Sequence, residues 1–201
     1  MIFPESERLR LREFDLKDLT ALHEFVSRRD VCLYTDWGPN SESDTDVFLR
    51  EAAQESLRTP RIAYTLAVER KHDSRLIGSC AVWLESAVHA RGALGFVLHP
   101  EVWRQGFATE VADLLLILGF ETLGCERIEA TCRPDNVGSH KVLERAGFAV
   151  EGVLRRHVII RGQRQNSLLL AVLRGEVMLL SEQGTGLSSS TTAPRSVETA
   201  G

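Results

Sequence analysis

The chain has 201 residues, 43% of them hydrophobic and 26% charged, with 24 basic against 28 acidic side chains and a formal net charge of −4. These proportions exclude wholesale disorder and leave no global positive excess to hold a polyanion such as nucleic acid. The opening residues Met1 to Arg8 lack a basic segment leading into an apolar one, and no apolar run nears the ~20 residues a membrane span requires, so a cytoplasmic protein is expected.

In chain order, Leu9 and Leu11 alternate with charge from Arg8 to Phe14, an opening strand that ends at Asp15. Asp15 can cap the helix that follows, where Leu19, Leu22, His23 and Val26 recur at helical spacing. A second helix is expected from about Asp44 to Leu57. Three strand runs come next, Ile62 to Val68, Leu76 to Trp83 and Ala93 to Leu98, joined by turn compositions that make an antiparallel meander. From Gly106 to about Leu123, Phe107, Val111, Leu114, Leu115 and Leu118 form a helical apolar face, and Gly124 is a natural stop. Arg127 to Cys132 reads as a strand, Asn136 to Ala146 as a helix closed by Gly147, and Val153 to Ile160 and Leu168 to Leu173 as a final strand pair. The pattern is that of a mixed α/β domain with helices on both faces of a twisted sheet. One domain is expected over residues 1–180, its folded part running from Glu7 to Leu180, and the small polar residues of 181–201 are expected to form a flexible tail. Cys32, Cys80, Cys125 and Cys132 have no Cys-x-x-Cys pair and no His at ligand spacing, so reduced thiols and no metal are expected.

Two segments carry chemistry. In His99-Pro-Glu-Val-Trp-Arg-Gln-Gly-Phe-Ala-Thr-Glu, a strand ends at Pro100 and the loop from Trp103 to Ala108 becomes a first helical turn. The N–H groups of such a turn lack intrahelical partners, and the helix dipole adds positive potential. Gly106 lets the backbone approach a ligand, Ala108 stays small and Arg104 adds charge, a set that suits a pyrophosphate but also suits a tightly packed loop. In Asn136-Val-Gly-Ser-His-Lys-Val-Leu-Glu-Arg-Ala-Gly-Phe, Asn136 is an N-cap candidate and Ser139 lies at the same helix end. Two helix starts after neighbouring strands would let a long, partly apolar ligand span the gap.

These two segments, in this order and separation, resemble the GNAT superfamily of N-acetyltransferases, and within it the RimJ/RimL-like branch; the resemblance runs from Glu7 to about Glu176 and includes Glu7-Arg-Leu-Arg-Leu-Arg. It implies a twisted, mostly antiparallel sheet splayed into a V between Gly95 to Leu98 and Arg127 to Cys132. It implies acetyl-CoA as cosubstrate, its pyrophosphate held by Trp103, Arg104, Gln105, Gly106, Phe107, Ala108 and Thr109, with Trp103 standing where Gln or Arg is usual. Backbone groups of Phe96, Val97 and Leu98 would pair with the pantetheine arm, and Asn136 and Ser139 would complete the site. An amine acceptor is the second partner, with a homodimer left open and neither nucleic acid nor membrane expected.

Acetyl transfer to an amine needs a neutral amine, oxyanion stabilisation and a proton for the departing thiolate. A backbone N–H of Val97 or Leu98 is expected to serve the oxyanion, and Ser139 resembles the position that supplies the proton. The carboxylate some relatives carry after the Gly-Phe turn falls near Val158 here, and Asn166 stands where many have Asp. The base candidates are therefore His157, Glu85, Asp36 and His99, with ordered water as the default. Tyr34, Asp36 and Trp37 lie in the loop that shapes the acceptor site in this branch, Tyr34 and Trp37 either facing substrate or packing. Cys80 and Cys132 read as interior residues, so no acyl-enzyme is expected. The competing expectations are an acyl-CoA-binding sensor without turnover and transfer of a different acyl group.

Overall fold

A computed structural model describes residues 3–177, so the expected 181–201 tail lies outside the described residues. The chain enters through β1 (Leu9–Arg12), whose leucines point inward while its arginines face out. Asp15 and Asp18 form a capping box on a single 3-10 turn before α1 (Leu19–Val26). Ser41 and Asp44 form a second box that starts α2 (Glu42–Ser56) two residues ahead of the apolar pattern. The meander β2 (Ala63–Arg70), β3 (Arg75–Ser86) and β4 (Arg91–Leu98) follows. After it come α3 (Phe107–Ile117), β5 (Arg127–Cys132), α4 (Val137–Arg145) and the hairpin β6 (Ala149–Ile160) and β7 (Gln163–Leu173). The apolar pattern past Ile117 continues as a wider turn over Leu118–Thr122.

The seven strands form one sheet in the order β1-β2-β3-β4-β5-β7-β6, antiparallel everywhere except between β4 and β5. Two cores cover its faces. On one, α1 and α2 bury Leu22, Phe25, Leu49 and Ala52 against Ala67 and Leu76, with Val97 packed alongside. On the other, Val111, Leu114, Leu115 and Leu143 of α3 and α4 pack on Leu66, Val82, Leu98 and Ile128. Each such aliphatic side chain contributes about 1.5–3 kcal/mol by leaving water, so α3 is fixed firmly beneath the centre of the sheet. No helix of the described residues is long and apolar enough to cross a membrane.

Candidate active site

Among the described residues, the sheet splits at its one parallel junction. β4 and β5 pair only over Arg91, Gly92 and Ala93 against Arg127, Ile128 and Glu129. Beyond that point β4 stays paired with β3 as far as Leu98, and β5 stays paired with β7 along all six of its residues. Each strand keeps its outer neighbour and abandons its inner one, so residues Leu94 to Leu98 leave an open edge of about 16 Å. The expected V is therefore a property of the register.

The same register decides which backbone groups face it. His99 N–H donates to Ile77 O at 2.8 Å, toward β3. Backbone groups alternate along a strand, so Val97, paired with Ser79, also points to β3, whereas Leu94, Phe96 and Leu98 point into the V. Val97, expected to bind pantetheine or the oxyanion, is corrected on this ground: its peptide groups are engaged in the sheet. The carbonyl of Leu98 is also taken, by the Trp103 indole Nε1 at 2.8 Å, which leaves Leu98 N–H and both groups of Phe96 open.

At the mouth of the V, Gly106 caps α3 with φ +86°, and Arg104 has φ +61°. A left-handed residue within such a turn can aim successive N–H groups at one point, as an anion-binding nest does. Thr109 and Glu110 N–H both turn back onto Gly106 O, at 3.1 and 3.3 Å, leaving the N–H groups of Gly106, Phe107 and Ala108 to a ligand. The Gln105 side chain is spent on Glu101 O at 2.6 Å. The loop is held from a distance by Arg8, which donates to Gln105 O at 3.1 Å, grips Glu110 with Nε at 2.6 Å and with Nη2, and lies over the Phe107 ring at 4.1 Å. Ser6 Oγ adds a bond to Glu110 at 2.8 Å. Arg8 and Glu110 were not singled out from sequence; they are 102 residues apart, and only the pairing of β1 at the sheet edge brings them together.

Across the V, α4 begins with Asn136, whose Oδ1 accepts from Ser139 N at 3.1 Å. Both side chains are half-buried. Asn136 is thus a cap whose NH₂ remains open, and the Ser139 hydroxyl lies at the same helix end beyond β5.

The opposite face, above β4 and β5, is uncovered. A Cβ built on Gly95 would meet nothing within 4 Å. Ile128, Ala130 and Cys132 point down into the α3 and α4 core, so Glu129 and Thr131 point up. Glu129 sits at the apex of the V, paired with Arg127 at 2.9 Å and with Arg91 at 3.9 Å, a carboxylate that sequence reasoning missed. His157 joins this face: its Nδ1 lies 2.7 Å from Ser167 Oγ on β7, and the residue is exposed. The loop between α1 and α2 bounds the same space, with Tyr34 half-buried and Asp36 and Trp37 exposed. It is tied to the turn between β6 and β7 by Arg161, which donates to Cys32 O at 2.6 Å.

Two of the expected bases stand elsewhere. Glu85 lies at the closed end, 3.5 Å from Arg91, and the five strand residues from Arg91 to Phe96 at ~3.3 Å each put it about 16 Å from Phe96. His99 is buried at 4% exposure and packs edge-on against Phe25 at 5.8 Å, inside the α1 core. All four cysteines are free and buried, and burial pushes the thiols of Cys80 and Cys132 up, the state of unreactive thiols.

The family model for the acetyltransferase (GNAT) domain matches residues 8–149, well over half of the chain. The chain belongs to the GNAT acetyltransferase family. This acetyltransferase is 30% identical over 176 residues to the uncharacterized N-acetyltransferase YoaA of Bacillus subtilis, covering 86% of this chain and 98% of that protein. Its fold matches the crystal structure of a GNAT-family acetyltransferase from Bacillus anthracis with a TM-score of 0.76 and 28% identity, over 87% of this chain and 100% of the other. It also matches Mycobacterium smegmatis RimJ in complex with CoA-disulfide, with a TM-score of 0.73 at 20% identity, over 84% and 83% of the two chains. The enzyme is an acyltransferase of the GNAT N-acetyltransferase type.

Proposed function

We propose that the enzyme transfers the acetyl group of acetyl-CoA directly to a primary amine within a ternary complex, in the manner of the RimJ/RimL-like branch. The observation that carries this reading is the divergence of β4 from β5 after Ala93, with the nest of Arg104 and Gly106 at its mouth. Likeness to RimJ in complex with CoA-disulfide adds support for a CoA ligand in this fold.

In this reading the N–H groups of Gly106, Phe107 and Ala108 take the pyrophosphate, where backbone dipoles and the helix end act together. Pantetheine lies along β4 and pairs with the Phe96 carbonyl and with Leu98 N–H, as an added strand would. The Asn136 side-chain NH₂ contributes from the far wall. Phe96 N–H, midway between mouth and apex, donates to the thioester oxygen and strengthens that bond as the oxygen becomes anionic. The amine nitrogen attacks the carbonyl carbon from the face above Gly95, its proton passing to His157 Nε2 directly or through water. The C–S bond then breaks, and the thiolate takes a proton from Ser139 Oγ. His157 is favoured over Glu85 because it shares the open face with the acceptor loop of Tyr34, Asp36 and Trp37. Buried, unactivated cysteines argue against an acyl-enzyme.

Single-turnover thiol release with a panel of amines tests the proposal. Thiol that appears only when an amine is added, in equal amount to acetylated amine, supports it. Tight acetyl-CoA binding with no release for any acceptor would instead leave a non-catalytic acyl-CoA-binding module.

A further inference from the structure

Arg91 and Arg133 each hold a buried guanidinium nitrogen without a hydrogen-bond partner, but Arg91 lies 3.5 Å from Glu85 and 3.9 Å from Glu129, whereas no ion pair among the described residues involves Arg133. On Arg133 the unpartnered nitrogen is Nη1. Burial pulls its pKa down, whereas Arg12, Arg28, Arg50, Arg70 and Arg127 are pushed up by carboxylates that accept from them. A guanidinium loses its proton only above ~12, so Arg133 remains a cation with an unfilled donor. Such a group is costly to bury and gains most when an anion completes it.

Its place in the fold says where that anion would come from. Arg133 is the first residue after β5, and Cys132 before it enters the α3 and α4 core, so continuing the alternation one step turns Arg133 to the upper face with Thr131 and Glu129. Extending the β5 ladder one step past the Cys132 and Leu168 pair sets it opposite Ser167, the partner of His157. From the facing loop, Asp36 is the acidic side chain whose charge reaches it, yet the two make no ion pair among the described residues. Arg133 thus brings an open cationic donor toward the face that His157 and Ser167 share.

We propose that the acceptor is a free α-amino acid, with its carboxylate held by Arg133. The inference rests on the transfer reading given above. An α-amino acid carries a carboxylate two bonds from the reacting nitrogen, and that carboxylate accepts a charge-assisted bond from a guanidinium. A polyamine would bring only positive charge to Arg133, and a peptide N-terminus would offer it a neutral carbonyl.

The test uses the full chain, acetyl-CoA and thiol release, with acceptors in matched triads: an amino acid, its amide, and the amine lacking the carboxyl group. Spermidine and a short peptide complete the panel. The amino acid should exceed its amide in kcat/KM by ~10–100-fold, the range of a charge-assisted hydrogen bond, and exceed the bare amine by more. Arg133→Gln should erase that preference by raising KM for the amino acid ~10–100-fold, with KM for the amide, kcat and acetyl-CoA affinity little changed, and Arg133→Lys should restore part of it. A merely structural role would lower all three acceptors together. Amides, spermidine or peptide used as well as amino acids would overturn the inference, as would a preference that survives in Arg133→Gln. If Arg133→Gln does not fold, the triads on the unmodified protein and on Arg133→Lys decide the matter. Turnover without carboxylate preference defeats this inference alone, whereas acetyl-CoA binding without turnover of any amine defeats the transfer reading with it.

Discussion

Gly106→Ala places a Cβ where the backbone runs at φ +86°, a conformation that costs an L-residue about 1–2 kcal/mol. The added carbon meets Arg8 Nη2 at 3.3 Å, the end of a flexible side chain that can yield, so strain rather than collision sets the stability loss. Gly124→Ala supplies the control. Gly124 has φ +68° with nothing within 4 Å of a Cβ, and it lies at the other end of α3, away from the V. Both variants should lose about 1–2 kcal/mol, or roughly 2–8 °C in Tm for a domain of this size. Only Gly106→Ala should also weaken acetyl-CoA, by ~10–100-fold, because the Cβ displaces a phosphate from at least one charge-assisted N–H bond. Calorimetric titration of acetyl-CoA alongside thermal melts separates the two effects. An unchanged Kd in folded Gly106→Ala, or an equal loss of affinity in Gly124→Ala, would refute the placement of the phosphates.

Glu110→Gln should weaken acetyl-CoA about 2–5-fold through release of Arg8 from the loop, and adding Arg8→Met should weaken it little further, since both changes break one contact; calorimetry of the four proteins checks this. Ser139→Ala should lower kcat ~10²-fold, the low end for loss of a general acid, without changing acetyl-CoA affinity, and unchanged single-turnover rates would remove Ser139 from the chemistry. Asp113, half-buried on α3 and beside Glu110, has its pKa raised to about 6 by burial first and that charge second. The folded state thus binds its proton more tightly than the unfolded chain does, so this group's contribution to stability falls as pH rises from 3.8 to about 6 and is absent above that. Asp113→Asn should accordingly raise Tm at pH 7.5 and lose that advantage toward pH 4.5; a Tm gap independent of pH would contradict it.

Much of the fold lies in local pattern. Arg127 to Cys132 is a strand at the bounds its alternation suggested, because both of its faces are committed within six residues, apolar below and polar above. The start of α2 was set two residues late, since Ser41 and Asp44 cap a first turn that has no apolar residue to announce it. The two ligand segments are legible because glycine, asparagine and a helix start act within a few residues of one another. What a single strand cannot disclose is which way its peptide groups point. Phe96 and Val97 exchange roles through the register with Ser79 on β3, and nothing between residues 91 and 98 records that. Glu85 was misplaced for a related reason: its distance from the V depends on how β3 and β4 lie against each other. The partnership of His157 with Ser167 depends on a register shift between Leu154 and Val158, and Arg133 becomes notable only once its donor is found buried and unfilled.

The most direct test of acetyl-CoA lying along the splayed edge of β4 is residue-resolved amide hydrogen exchange by NMR, with and without the ligand. Val97 N–H should be protected already in the free protein by its bond to β3. Phe96, Leu98, Gly106, Phe107 and Ala108 should exchange faster when free and become protected on binding. Protection by acetyl-CoA that leaves Phe96 and Leu98 unchanged, or that falls instead on the cavity lined by Arg12, Asp18 and Glu69, would contradict the account.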